Sequence, residues 1–248
     1  MLVQFLTFAY AAVCIFLAAI VRGYSGFGFS LLAITSISLL LPPAQIVPSI
    51  FLMEVAASLH LLPGVWREIH WRPLSWLFIG CCVGTPFGVY ALAHARAAPM
   101  TLALAAFVLA SAILLSKGYA MKRMPGRVFT FAAGAASGLF NGGFGMGGPP
   151  VVLFFFSSPA GVAAGRASLI AFFLLTDIVG LGWQGWSGLI TRTTLWRAVC
   201  FLPPLIAGVW LGNRSFKHAD PAIVRRWILR LLMLLALLCG ARALSQLL

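Results

Sequence analysis

Asn141-Gly-Gly-Phe-Gly-Met-Gly-Gly-Pro-Pro150 interrupts an apolar run that extends from Val128 to Ser157. The piece before it, Val128–Phe140, has 13 residues, and the piece after it, Val151–Ser157, has 7. At about 1.5 Å per helical residue, neither crosses a hydrocarbon core of about 30 Å. Two short helices joined by a glycine-rich turn enter and leave on the same side instead. Non-helical backbone at that depth is tolerated only where protein or a water-filled cavity surrounds it, so the break predicts a cavity. Pro149 and Pro150 suit the first turn of a helix starting there, where the missing N–H leaves no bond unmade.

The rest of the chain has the composition of a membrane protein. Of 248 residues, 62% are hydrophobic and 8% charged, with a mean hydropathy of +1.03. A water-exposed surface cannot be assembled from so few charges, which excludes a soluble enzyme, a nucleic-acid-binding domain and a disordered chain. The reading is an all-α integral membrane protein, a single multi-pass domain over residues 1–248. The 17 Lys and Arg against 4 acids give +13. Most lie in short gaps between apolar runs, where they orient the chain across the bilayer; nucleic acid is not an expected partner. Cys14, Cys81, Cys82, Cys200 and Cys239 lie within apolar stretches and read as small buried hydrophobes, not disulfides or metal ligands. The first basic residue is Arg22, so no cleavable signal peptide is predicted.

Six uninterrupted spans are predicted, at about 44–65, 73–93, 100–116, 165–186, 194–212 and 222–244. A second interrupted run covers Leu2–Leu41, with its break at Arg22-Gly-Tyr-Ser-Gly-Phe-Gly-Phe-Ser30. The two breaks are copies. A shift of 119 places Gly23 on Gly142, Gly26 on Gly145, Gly28 on Gly147 and Ser49 on Ser168; a shift of 120 places Arg72 on Arg192, Trp76 on Trp196, Gly88 on Gly208 and Tyr90 on Trp210. Each repeat (about 1–116 and about 128–248) thus holds one broken, re-entrant segment and three spans, and three crossings invert the second repeat relative to the first. The basic links at 117–127 and 214–226 are expected on the cytoplasmic side, with Arg67 and Arg72, although Arg192 and Arg197 then fall outside.

Inverted repeats with helices broken near mid-membrane are the pattern of secondary transporters. A helix N-terminus offers unpaired N–H groups and partial positive charge to an anion, and glycine lets the backbone approach closely. The predicted anion seat comprises Gly26, Phe27, Gly28 and Ser30 at one break and Asn141, Gly145, Gly147 and Gly148, on toward Val151, at the other. Phe27, Phe144 and Met146 are expected to wall the cavity. On the alternative reading these glycines only admit neighbouring helices. Arg166 is the expected fixed charge of the seat and Arg22 a second candidate, though arginine near a segment end also snorkels. Glu54 and Asp177, deep in apolar segments, either exchange protons during transport or lock helices together. The strict shift sets Glu54 opposite Phe173, so the two acids are equivalent only across a small gap. Ser49 and Ser168 either donate to a ligand oxygen or bond back to their own helices.

Two alternatives remain at this point. A passive anion channel fits the same residues. Gly23-Tyr-Ser25-Gly26 also matches the Gly-x-Ser-Gly of rhomboid-type intramembrane proteases, in which the serine needs a deep histidine. Of His60, His70, His94 and His218, three lie in or beside loops and His60 is seven residues from Arg67. The position equivalent to Ser25 is Phe144. No metal-ligand spacing or phosphate loop occurs, so neither enzyme, metal nor cofactor is expected.

At these residues the sequence resembles the sulfite exporter TauE/SafE family of bacterial membrane permeases. The resemblance rests on Arg22-Gly-Tyr-Ser-Gly-Phe-Gly28, Val47-Pro-Ser-Ile-Phe-Leu-Met-Glu54, His70-Trp-Arg72, Gly145-Met-Gly-Gly-Pro-Pro-Val-Val152 and Arg166-Ala-Ser-Leu-Ile-Ala-Phe-Phe-Leu-Leu-Thr-Asp177. Many members carry three successive glycines at both breaks; here the first reads Gly28-Phe-Ser30. The resemblance implies movement of small sulfur-containing anions (sulfite, thiosulfate, sulfonate or sulfoacetate) across the cytoplasmic membrane, without a cofactor.

Overall fold

A computed structural model describes residues 2–116, 125–147, 151, 152, 154, 155 and 162–215, with a few positions between 230 and 241. Gly148, Pro149, Pro150, most of the basic links and most of the expected span at 222–244 lie outside the described residues. The ordered elements are α1 (Leu2–Ser25), α2 (Phe29–Ile37), α3 (Pro43–Leu61), α4 (Trp71–His94), α5 (Ala97–Ser116), α6 (Arg127–Phe144), α7 (Val162–Trp186) and α8 (Arg192–Ser215). Two single 3-10 turns, Leu62–Gly64 and Trp66–Glu68, connect α3 to α4. No strand occurs among the described residues.

Among the described residues, five helices are long and apolar enough to cross a membrane: Leu6–Ser25, Pro43–Gly64, Trp71–His94, Ala163–Trp186 and Arg192–Ser215. Their outward faces are apolar, as a lipid-facing surface requires: Ile79, Val83, Phe87 and Tyr90 form one exposed stripe on α4, and Leu195, Val199, Ile206 and Trp210 another on α8. The chain is a multi-pass membrane protein.

The pieces before the breaks are longer than the sequence predicts. α1 is a continuous 24-residue helix through Arg22-Gly-Tyr-Ser25, and α6 runs 18 residues through Asn141-Gly-Gly-Phe144. At about 1.5 Å per residue α1 reaches roughly 36 Å, enough to cross, so the first broken segment is not a pair of short helices. α2, with nine residues, is short. It folds back along α1, where the Tyr10 hydroxyl donates to the Ser36 carbonyl at 3.0 Å.

Glycine seams explain why these glycines stay helical despite a cost of about 1 kcal/mol each. Along α4, a Cβ added at Gly80, Gly84 or Gly88 would stand 2.1, 2.0 and 2.1 Å from the carbonyl oxygens of Phe131, Ala135 and Leu139 on α6. In return, Gly134, Gly138 and Gly142 of α6 lie against the carbonyls of Leu77, Cys81 and Thr85. The two backbones touch directly, an arrangement that only small residues permit. A second seam joins α1 to α8: Gly208 and Gly212 face the carbonyls of Phe16 and Ile20, and Gly23 faces that of Val209. The partners of Gly84 and Gly88 (Ala135, Leu139) are each 119 beyond those of Gly208 and Gly212 (Phe16, Ile20). By contact, then, α4 and α8 correspond at an offset of 124, not the 120 that aligned Gly88 with Gly208.

Candidate functional site

The first break turns on two glycines. Gly26 has φ +78° and its N–H closes α1 on the Arg22 carbonyl at 2.8 Å; Gly28, at φ +91°, is the N-cap of α2 and supplies no side-chain cap. The cap comes from α3. Oε1 of Glu54 accepts the Ser30 hydroxyl at 2.7 Å and the Ser30 backbone N–H at 3.3 Å. Oε2 of Glu54 lies 3.1 Å from Nε of Arg22, an ion pair that is not aligned as a hydrogen bond.

Arg22 is fully buried. Its Nη1 donates to the Gly26 carbonyl and its Nη2 to the Ser58 hydroxyl at 2.7 Å, and the guanidinium carbon sits 4.9 Å from the centre of the Phe173 ring. A buried ion pair repays its desolvation only with further hydrogen bonds; here Ser30 bonds Glu54, and Ser58 and the Gly26 carbonyl bond Arg22, while the facing Nε and Oε2 make none among the described residues. The α2 N-terminus adds partial positive charge beside the carboxylate.

The second break carries a related arrangement, with asparagine where the first has arginine. Gly145, at φ +67°, closes α6 on the Asn141 carbonyl at 2.7 Å, as Gly26 closes α1 on Arg22. Nδ2 of Asn141 donates to Oδ1 of Asp177 at 3.1 Å, while its Oδ1 accepts the Gly147 N–H at 3.2 Å. Ser137 donates to the Gly147 carbonyl. Oδ2 of Asp177, almost fully buried, has no hydrogen-bond partner among the described residues.

The 119 offset is kept in these contacts. Arg22 bonds Ser58 and Asn141 bonds Asp177, each 36 residues on. Asp177 therefore stands where Ser58 stands, and no gap is needed. Glu54 corresponds to Phe173, one helical turn before Asp177, so the two acids hold different positions in their repeats. The breaks also face each other's helices. A Cβ on Gly26 would meet Arg166 and Ile170 of α7, and one on Gly145 would meet Val47 and Phe51 of α3, again 119 apart, together with Ile34 of α2. Asp177 interacts electrostatically with both Glu54 and Arg22.

The other expected site residues make bonds of their own. Arg166 donates from Nε to the Tyr24 carbonyl at 3.1 Å, and from Nη2 to the Gly23 carbonyl at 2.6 Å and the Asn213 side chain at 2.8 Å. Those bonds fasten the end of α1 to α7 and α8, while Arg22 is the arginine at the Glu54 carboxylate. The Ser49 hydroxyl donates to the Thr194 carbonyl, and the Ser168 hydroxyl accepts the His70 N–H at the start of α4. Both serines thus tie one repeat to the other. The Ser25 hydroxyl lies 2.7 Å from the Val21 and Phe27 carbonyls and receives the Phe27 N–H; none of these bonds involves a histidine. Met146 is buried, and Phe27 and Phe144 are half-buried against the core. A cavity of about 330 Å³ opens at the ends of α4 and α6, lined by Arg72, Trp76, Arg127, Thr130 and Phe154 among others.

Sequence reasoning missed two features. Gln184, two helical turns from Asp177 on α7, is fully buried, and neither amide atom has a hydrogen-bond partner among the described residues. Its signal was a lone glutamine inside the run 165–186. The other is the pair of seams: the one between α4 and α6 is signalled by glycine at every fourth residue from Gly80 to Gly88 and from Gly134 to Gly142, the one between α1 and α8 by Gly208 and Gly212.

A probable sulfite/organosulfonate exporter TauE of Cupriavidus necator is 29% identical to this chain over 208 residues, covering 81% of the chain and 80% of the relative. No solved structure matches. The family profile described as sulfite exporter TauE/SafE matches residues 11–239, which span both breaks, both acids and both seams, and the chain belongs to that family.

Proposed function

We propose that this protein is a secondary transporter of small sulfur oxyanions (sulfite, thiosulfate, sulfonate or sulfoacetate) in the cytoplasmic membrane. Its two repeats are inverted, and the anion binds where the breaks meet. The observation that carries this reading is the buried arginine in the last turn of α1, set beside the N-terminus of α2. Arg22, the Ser30 hydroxyl and N–H and the open end of α2 converge on one carboxylate oxygen pair, a donor set that suits a sulfonate equally well. Gly26, Phe27 and Gly28 shape this half of the seat; Asn141, Gly145, Gly147 and Gly148 shape the other. Arg166 positions the end of α1 and adds positive charge behind Arg22. The reciprocal contacts at the 119 offset support a two-fold relation between repeats, and the opposing seams let one repeat rock against the other. Glu54 and Asp177 couple anion movement to protons. The relative's name supports the substrate class.

The test is uptake of labelled sulfite, thiosulfate and methanesulfonate into proteoliposomes, with and without an inward proton gradient. The gradient is expected to accelerate uptake of at least one of these over chloride, and Glu54→Gln and Asp177→Asn are each expected to remove the acceleration. Uptake indifferent to the gradient and to both substitutions leaves a passive channel. No uptake of any sulfur anion overturns the substrate class.

A further inference from the structure

We infer that the Glu54 carboxylate is an internal anion that fills the substrate's seat while the carrier is empty, and that substrate enters as Glu54 takes up a proton and yields the seat. This rests on the reading of the seat as an anion site. Glu54 reaches from α3 to cap a helix that has no cap of its own, because Gly28 at the N-cap position carries no side chain. Its two oxygens take a hydroxyl, a helix-terminal N–H and a guanidinium nitrogen. These are the contacts a sulfonate's oxygens need. With Glu54 ionised, a second anion there would lie within a few ångströms of a like charge in a medium of low dielectric, where repulsion is strongest. With Glu54 protonated, Arg22 and the α2 N-terminus lose their counter-charge and attract the substrate.

The polar surroundings allow this exchange. The Glu54–Arg22 contact is unaligned as a hydrogen bond, and Oδ2 of the nearby Asp177 has no hydrogen-bond partner among the described residues. Among the described residues, the charged groups that act on Glu54 are Arg22 of α1 and Asp177 of α7; Arg166 of α7 acts on Arg22 and is itself acted on by Glu68. Cys81 of α4 acts on Asp177. Arg197 of α8 is held at the far end of α3, on the Gln45 carbonyl. Neither α2 nor α5 contains a titratable residue. For a monoanion the loaded seat then carries the same net charge as the empty one, so anion and proton move together without moving charge.

The experiment is a binding titration of the purified full chain with methanesulfonate, which stays ionised throughout, from pH 5 to pH 8. Wild-type affinity is expected to rise as pH falls, by about tenfold per unit where one proton is taken up per anion. Glu54→Gln is expected to bind about tenfold or more tightly than wild type at pH 8 and to lose the pH slope. Wild-type affinity that is flat or rises with pH, or weaker binding by Glu54→Gln than by wild type, overturns the inference while leaving the anion site standing. No anion binding by either protein overturns the inference and the transport reading together. If Glu54→Gln does not fold, the wild-type slope alone decides.

Discussion

Gly84→Ala is expected to destabilise the protein strongly, while Gly182→Ala, the same chemical change, leaves stability unchanged or slightly raised. The added Cβ at position 84 would stand 2.0 Å from the Ala135 carbonyl and 2.8 Å from the Leu139 nitrogen, both backbone atoms that cannot turn aside. α4 must then move away from α6 along the whole seam, opening Gly80, Gly88, Gly138 and Gly142 at once. Overpacking costs about 1–3 kcal/mol in ordinary cores, and a backbone-to-backbone seam belongs at or above the top of that range. At Gly182 the added methyl meets nothing within 4 Å, and alanine is the better helix former by about 1 kcal/mol. Thermal melts of the two variants in detergent, read beside wild type, check this. Equal melting points for both would mean that α4 and α6 do not touch along their backbones.

Arg22→Leu is the second large effect. It removes the cation and leaves Glu54 buried with only Ser30 for a partner, and breaking a buried pair by deleting one member costs about 3–5 kcal/mol. Replacing both members is different. Arg22→Leu with Glu54→Leu removes the charges and their desolvation together, so the double variant is expected to recover most of the lost stability. Transport is not recovered, because the seat then has neither its cation nor its proton acceptor. Melting points separate the structural part of the pair from the functional part, and uptake measured on the same preparations completes the comparison. A double variant less stable than Arg22→Leu alone would mean that Glu54 is held by contacts other than the arginine.

Much of this was legible in the sequence because glycine and charge are costly in a membrane helix and seldom occur there without cause. The breaks, their repetition at 119, and Glu54 and Asp177 as buried acids could all be read from single positions. Helix ends could not. From the sequence the run ends at Phe140, before the glycine cluster, yet Gly142 lies within α6, where the Thr85 carbonyl and Val89 nitrogen on α4 leave no room for a side chain. That contact is tertiary and spans more than fifty residues of sequence. The same limit governs the arginines. Arg22 and Arg166 both flank apolar runs, and only the fold reveals that Arg22 meets Glu54 while Arg166 meets the backbone at Gly23 and Tyr24. The gap invoked to equate Glu54 with Asp177 failed for a related reason. The contacts keep strict register through α7, and the extra residues fall between α7 and α8.

If a sulfur oxyanion and a proton cross together through the Arg22–Glu54 seat, transport changes the pH inside proteoliposomes loaded with a fluorescent pH indicator when methanesulfonate is added outside at equal pH. Acidification of the interior is expected at one proton per labelled anion taken up, and none with Glu54→Gln. Methanesulfonate entering the vesicles with no change in internal pH would contradict it.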